Sequence, residues 1–190
     1  DPTATQGLKN ATQLNEARLA TLIKEYEQYI AYGDNQFNAN NLDKAIEFYS
    51  KALALNTGRT YPAEMIDKIS GILQENRLAV LVNEKTEIKL NETKKFEFEP
   101  VDVTTRKGNY ILIKAKNLSD NAFSLFISYG TKNTNNGSLI VRIPNSKDTN
   151  SFIIRIGAQY KWFSEDNTWI ELTAEGGNLE IETMEITKGK

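Results

Sequence analysis

The sequence predicts a two-part α-plus-β protein. An antiparallel helical module occupies residues 1–88, and an antiparallel β-sandwich or jelly roll occupies residues 92–190. Three observations predict it. Apolar residues in the first half recur at intervals of three and four, the period of a helix with one buried face. From Lys94 the period switches to two, the mark of half-buried strands. The strand-like segments follow one another with turn residues between them and no intervening helical stretch, which argues against a parallel sheet.

The first helix carries Leu19, Leu22, Ile23, Tyr26, Ile30, Gly33 and Phe37 on one stripe. Asn38, Asn40 and Asn41 end it, because Asn favours turns and tolerates left-handed backbone. A second helix follows through Leu42, Ala45, Ile46, Tyr49, Ala52 and Leu53, with Gly58 as the stop signal beyond it. Pro62 and Glu64 suit the first turn of a third helix, which turns Met65, Ile66, Ile69, Ile72 and Leu73 inward and ends between Asn76 and Glu87. Small residues at Gly33, Ala45 and Ala52 alternate with Tyr29, Phe37 and Tyr49, so these six are the expected helix-packing contacts.

The stretch 29–58 resembles a tetratricopeptide repeat, the helix-turn-helix unit of about 34 residues. Tyr29 stands at the usual Trp position, Tyr32 at the usual Leu position and Gly33 at the small residue where two helices touch. Phe37 falls one place beyond the usual Tyr. Lys44-Ala45-Ile46, Tyr49 and Lys51-Ala52-Leu53 fit the second helix, whereas Thr57 occupies the usual Pro position. Only one good copy is present, and such repeats generally need about three to form an array with a groove. The resemblance implies either a peptide-holding groove or a small bundle that supports, spaces or oligomerises its neighbours.

In the second half, strands are expected over 96–99, 110–116, 123–129, 138–143, 152–156, 159–163, 168–172 and 178–186. Turns are expected over 117–121, 131–137, 144–150, 164–167 and 175–178. The run Phe152-Ile-Ile-Arg155-Ile156-Gly157, Tyr160-Lys-Trp162, Trp169-Ile-Glu-Leu172 and Gly176-Gly177 with its closing strand resembles the galactose-binding-like jelly roll of many carbohydrate-binding modules. A fibronectin-like sandwich is the rival pattern. The resemblance implies aromatic side chains that stack on sugar rings. Tyr129, Tyr160 and Trp162 are the ring candidates, with Arg155 and Asn135 as polar partners; Trp169, Asn133, Asn136 and Asp166 are secondary. Core packing is the competing reading for each ring.

Composition excludes much chemistry. The chain has 190 residues with no Cys and no His, so Ser–His and Cys–His dyads, disulfides and Cys- or His-based metal sites are all unavailable. Residues 1–90 hold 10 Lys/Arg against 12 Asp/Glu, and residues 91–190 hold 13 against 13, so neither half has a basic nucleic-acid footprint. No apolar run reaches the ~20 residues of a membrane span. Glu97, Glu99, Glu180 and Glu182 alternate with apolar residues and are expected on a solvated face, not as a catalytic pair. Glu165-Asp166-Asn167 is a weak calcium candidate without EF-hand spacing. No catalytic residue, metal or cofactor is expected.

The expected function is therefore a non-enzymatic binding or scaffold protein. The helical module would join a protein partner or a second copy, and the sandwich a ligand or surface; the alternative is a carbohydrate-binding module. The deployment of similar sandwiches suggests an extracytoplasmic setting. The opening at Asp1 fits either a removed leader or anchor or a tag remnant, and further domains before it are left open.

Overall fold

The computed structural model describes residues 2–55, 57–103 and 108–189. The chain divides into two compact units between Ile66 and Asp67.

The first unit contains α1 (Pro2–Asn38), α2 (Leu42–Ala54) and the opening of α3 (Tyr61–Gln74). Asn40 adopts φ 56°, and the Asn41 amide turns back to the Gln36 carbonyl at 2.8 Å, which stops α1 and starts the hairpin. Gly33 sets the closest approach of the two helices: a Cβ there would lie 2.6 Å from Cε1 of Tyr49. The Tyr49 ring is fully buried. Its hydroxyl donates to Oδ1 of Asp34 at 2.7 Å, and the Tyr61 hydroxyl donates to the same oxygen at 2.9 Å. Ala45 and Ala52 are buried beside it, whereas Tyr29 and Phe37 are half-buried. Tyr32 packs on Phe48, with ring centroids 5.3 Å apart. The apolar stripe of α1 is covered only in part. Tyr26 is its first buried member, and residues 9–21 are exposed, Leu14 by 71% and Leu19 by 57%.

The second unit is two antiparallel sheets around one core. One sheet has the order β1 (Arg77–Val82), β9 (Leu179–Lys188), β4 (Asn109–Asn117), β7 (Thr149–Ile154), with β2 (Thr86–Ile88) also paired to β9. The other has the order β3 (Thr93–Glu97), β8 (Trp169–Glu175), β5 (Phe123–Thr131), β6 (Thr134–Ile143). Ile111, Ile113, Ile181 and Met184 from the first sheet meet Leu125, Ile127, Ile170 and Leu172 from the second in one cluster. Alternate residues of each strand point inward, as the pleat requires.

Three expectations are corrected. The third helix ends at Gln74, before the expected 76–87, and the last residues assigned to the helical module hold β1 and β2, which pair with β9 about a hundred residues away, a contact that no local period reveals. Residues 159–163 form no strand; they belong to a turn and the short helix α4 (Tyr160–Ser164). Residues 134–137 are strand β6, so the Asn-rich turn shrinks to Lys132 and Asn133.

The closing strand β9 carries a bulge that shifts its register on β4 between Lys114 and Ala115. Leu179 and Ile181 point into the core before it, and Met184 and Ile186 after it. Glu185 consequently lies buried on the other face, where Nε of Arg77 reaches it at 3.3 Å. On that outer side of the five-stranded sheet, Asp67, midway along α3, accepts from the Ser151 hydroxyl and lies 3.9 Å from the Lys114 ammonium. The outer face of the four-stranded sheet is open, with Ile140 63% exposed and Arg142 and Glu175 also in solvent.

Candidate ligand-binding groove

Register fixes which side chains line this open face. Ile170, Leu172 and Ala174 of β8 are in the core, so Trp169, Glu171 and Thr173 face outward. Trp169 lies opposite Glu97 on one side and Gly130 on the other. A Cβ on Gly130 would fall 2.5 Å from Cζ2 of Trp169 and 1.9 Å from the Thr134 carbonyl oxygen; the absent side chain leaves room for the indole against β5. Its Nε1–H donates to the Thr131 carbonyl at 2.5 Å, which fixes the ring plane.

Around this indole opens a groove of about 580 Å³ lined by Lys95, Glu97, Phe98, Glu99, Lys132, Thr168 and Trp169. Phe98 follows β3 and is held by its amide donating to the Thr168 carbonyl at 2.9 Å. Its ring touches both the groove and the core, with its centroid 6.2 Å from that of Trp162. Lys95 Nζ stands 5.2 Å above the Trp169 ring and 3.4 Å from Oε1 of Glu97. Two ammonium groups and two carboxylates give the rim no net charge. The indole is 7% exposed with the Lys95 ammonium over it, and Phe98 is half-buried, so the groove has two aromatic residues in its wall and donors and acceptors at its edge.

Of the ring candidates from the sequence, Trp169 lies in this groove and the other three lie elsewhere. Trp162 and Tyr129 are core residues, a correction to their role as exposed rings. Trp162 is fully buried, packed edge-on against Tyr129 with centroids 5.5 Å apart. Burial raises the Tyr129 phenol pKa, and Gly137 is bare of a side chain where the Tyr129 hydroxyl passes. Tyr160 is 67% exposed on α4 and packs edge-to-face on Phe163 at 5.3 Å. Arg155 is half-buried beside the 3-10 turn Ile156–Ala158. Asn135 is exposed and accepts from the Gly137 amide at 3.0 Å, a local turn contact.

Asn167 earlier stood only in a calcium candidate. Its buried amide donates to the carbonyls of Lys161, Trp162 and Glu165 at 3.0, 2.9 and 3.0 Å, while its oxygen accepts from Asn136. A side chain that presents N–H groups inward holds α4 in place and is the wrong polarity for a cation. Among the described residues no cluster of three acidic groups could hold a metal, and no helix is long and apolar enough to cross a membrane. Glu180 and Glu182 pair with Lys85 at 2.8 and 3.9 Å, and the first of these contacts raises the Lys85 pKa. Sequence reasoning missed Lys95, Phe98, Lys132 and Thr168. The signal available was the run Lys94-Lys-Phe-Glu-Phe-Glu99, where charges of both signs flank aromatics on an edge strand.

No family model matches the sequence, and no curated protein matches it. Among solved structures, the chain is similar to PfGH50B at 11% identity and TM-score 0.44, over 60% of this chain and 22% of that one. It is similar to a family 16 carbohydrate-binding module at 9% identity and TM-score 0.34, over 59% of this chain and 86% of that one. A third is the second N-terminal cellulose-binding domain of Cellulomonas fimi β-1,4-glucanase C, at 11% identity and TM-score 0.35, over 60% and 83%. The chain spans about a fifth of the length of PfGH50B.

Proposed function

We propose that the sandwich unit is a non-catalytic glycan-binding module and that the Trp169–Phe98 groove is its site. The observation that carries this reading is the groove itself: a channel lined by a half-buried Phe98 and by the Trp169 indole, 7% exposed under Lys95, with a rim of donors and acceptors. Sugars present apolar C–H faces and hydroxyl edges, and aromatic rings bury the former at little entropic cost. The galactose-binding-like jelly roll fits this use, and an extracytoplasmic setting goes with it. Affinity electrophoresis in gels containing neutral polysaccharides tests the reading. Retardation of the wild type should be lost in Phe98→Ala and weakened in Glu99→Gln, with circular dichroism unchanged, and retained in Tyr160→Ala. Retardation that depends on Tyr160 and ignores Phe98 would place the site elsewhere.

A second reading concerns the helical unit, where Leu14 and Leu19 are exposed on α1. The tetratricopeptide-like hairpin, supported by the Gly33–Tyr49 contact, would serve a protein partner or a second copy of this chain. Light-scattering mass tests self-association: a dimer that becomes monomeric in Leu14→Lys/Leu19→Lys supports it, and a monomeric wild type removes the second copy from the reading.

A further inference from the structure

Trp169 has an ammonium group standing where a sugar ring would stack. Lys95 Nζ lies 5.2 Å from the indole centroid, within the range of a cation–π contact. The same ammonium is 3.4 Å from Oε1 of Glu97. A committed ammonium–carboxylate bond closes to about 2.7–2.9 Å. Lys95 is therefore shared between the ring and the carboxylate, with neither holding it fully. Both flanking residues project from β3, Lys95 opposite Glu171 and Glu97 directly opposite Trp169. The Lys95 and Glu97 side chains are 40% and 77% exposed, so the ammonium has solvent to move through.

We infer that Lys95 is a latch over the Trp169 face and that Glu97 is the catch that receives it when ligand enters. The inference rests on the glycan reading for its ligand, but the latch itself can be read without one. When a sugar face displaces the ammonium from the indole, a short swing brings it into full contact with Glu97, and no charge is stranded. The released pair is neutral, and Lys132 and Glu99 across the groove also sum to zero. The latch therefore suits an uncharged oligosaccharide: an anionic substituent would compete with Glu97 for Lys95, and a cationic one would compete with Lys95 for the ring.

Acrylamide quenching of the full chain tests the latch. Trp162 is fully buried and supplies an inaccessible background, while Trp169 is 7% exposed beneath Lys95, so any emission that quenching reaches when the ammonium moves belongs to Trp169. Lys95→Ala should raise the quenching constant of that component. Glu97→Gln should lower it, because without the catch the ammonium stays on the ring. If Lys95 merely covers the surface, Glu97→Gln will leave quenching unchanged, and that result overturns the latch; so does unchanged quenching in Lys95→Ala. Titration calorimetry with cellohexaose, xylohexaose and laminarihexaose reads the ligand arm. Lys95→Ala should tighten binding of whichever neutral hexasaccharide the wild type takes by about two- to fivefold, the worth of an exposed cation–π contact. Quenching that shifts as stated while none of the three binds would support the latch and count against the glycan reading alone.

Discussion

Replacing Trp162 by Ala distinguishes a core residue from a sugar platform. Trp162 has no exposed surface, and its ring is wedged between Phe98 and Tyr129. A buried Trp removes roughly 200 Å² from water, and at about 25 cal/mol per Å² this amounts to ~5 kcal/mol. Large-to-small core replacements of aromatics cost about 3–5 kcal/mol in practice. A domain is stable by only about 5–15 kcal/mol, so the substitution consumes a large share. With a urea slope of roughly 2 kcal/mol per molar, the midpoint should fall by about 2 M. Both tryptophans lie in the sandwich unit, so the remaining Trp169 emission reports that unit alone in the mutant. Trp162→Phe should cost far less. Its Nε1–H is buried without a hydrogen-bond partner among the described residues, and leaving a donor unpaired costs about 1–3 kcal/mol, which Phe avoids. A Trp162→Ala protein with an unshifted urea midpoint would refute the placement of this ring in the core.

Other outcomes follow from the same geometry. Gly33→Leu should break the hairpin contact, because even a Cβ lies 2.6 Å from the Tyr49 ring; lost helicity at 222 nm with unchanged Trp emission is the expected pattern. Asn167→Ala removes the contacts to two α4 carbonyls and to the Glu165 carbonyl just beyond, and should destabilise the sandwich by about 2–4 kcal/mol, seen as a lower urea midpoint; Asn167→Asp, which cannot donate, should not restore it. Burial, with the Asp34 bond second, raises the Tyr49 and Tyr61 pKa values above their usual 10.0. A raised phenol contributes stability that is intact below pH 10 and lost as pH rises past it, since the unfolded chain ionises first. Helicity should therefore fall above pH 10, and Tyr49→Phe should blunt that alkaline loss.

The helical hairpin was legible because its contacts are local. Gly33 and Tyr49 are 16 positions apart, and both the turn at Asn40 and the spacing of Ala45 and Ala52 are written within one short window. The alternation of β4, β5 and β8 was legible for the same reason, since one face of each strand is buried. What escaped depends on distant pairing. Arg77–Val82 is a short apolar run that matches strand and helix alike, and only its pairing with β9 decides. Tyr160, Trp162 and Phe163 mimic alternation over too few residues to tell strand from helix, while Asn167, which settles the matter, acts through its side chain. The groove was illegible as a whole: β3, the β5–β6 hairpin and the start of β8 each bring one part of it, and only the register of Trp169 against Gly130 makes the indole its floor.

The two indole N–H signals in a proton–nitrogen correlation spectrum give the sharpest test, because each of the two tryptophans has one. On titration with a neutral hexasaccharide that binds, the Trp169 indole signal and the backbone signals of Lys95, Phe98 and Lys132 should shift together while the Trp162 indole stays still. A Trp162 or Tyr160 response with Trp169 unmoved, or no response to any neutral glycan, would contradict the assignment of this groove as the binding site.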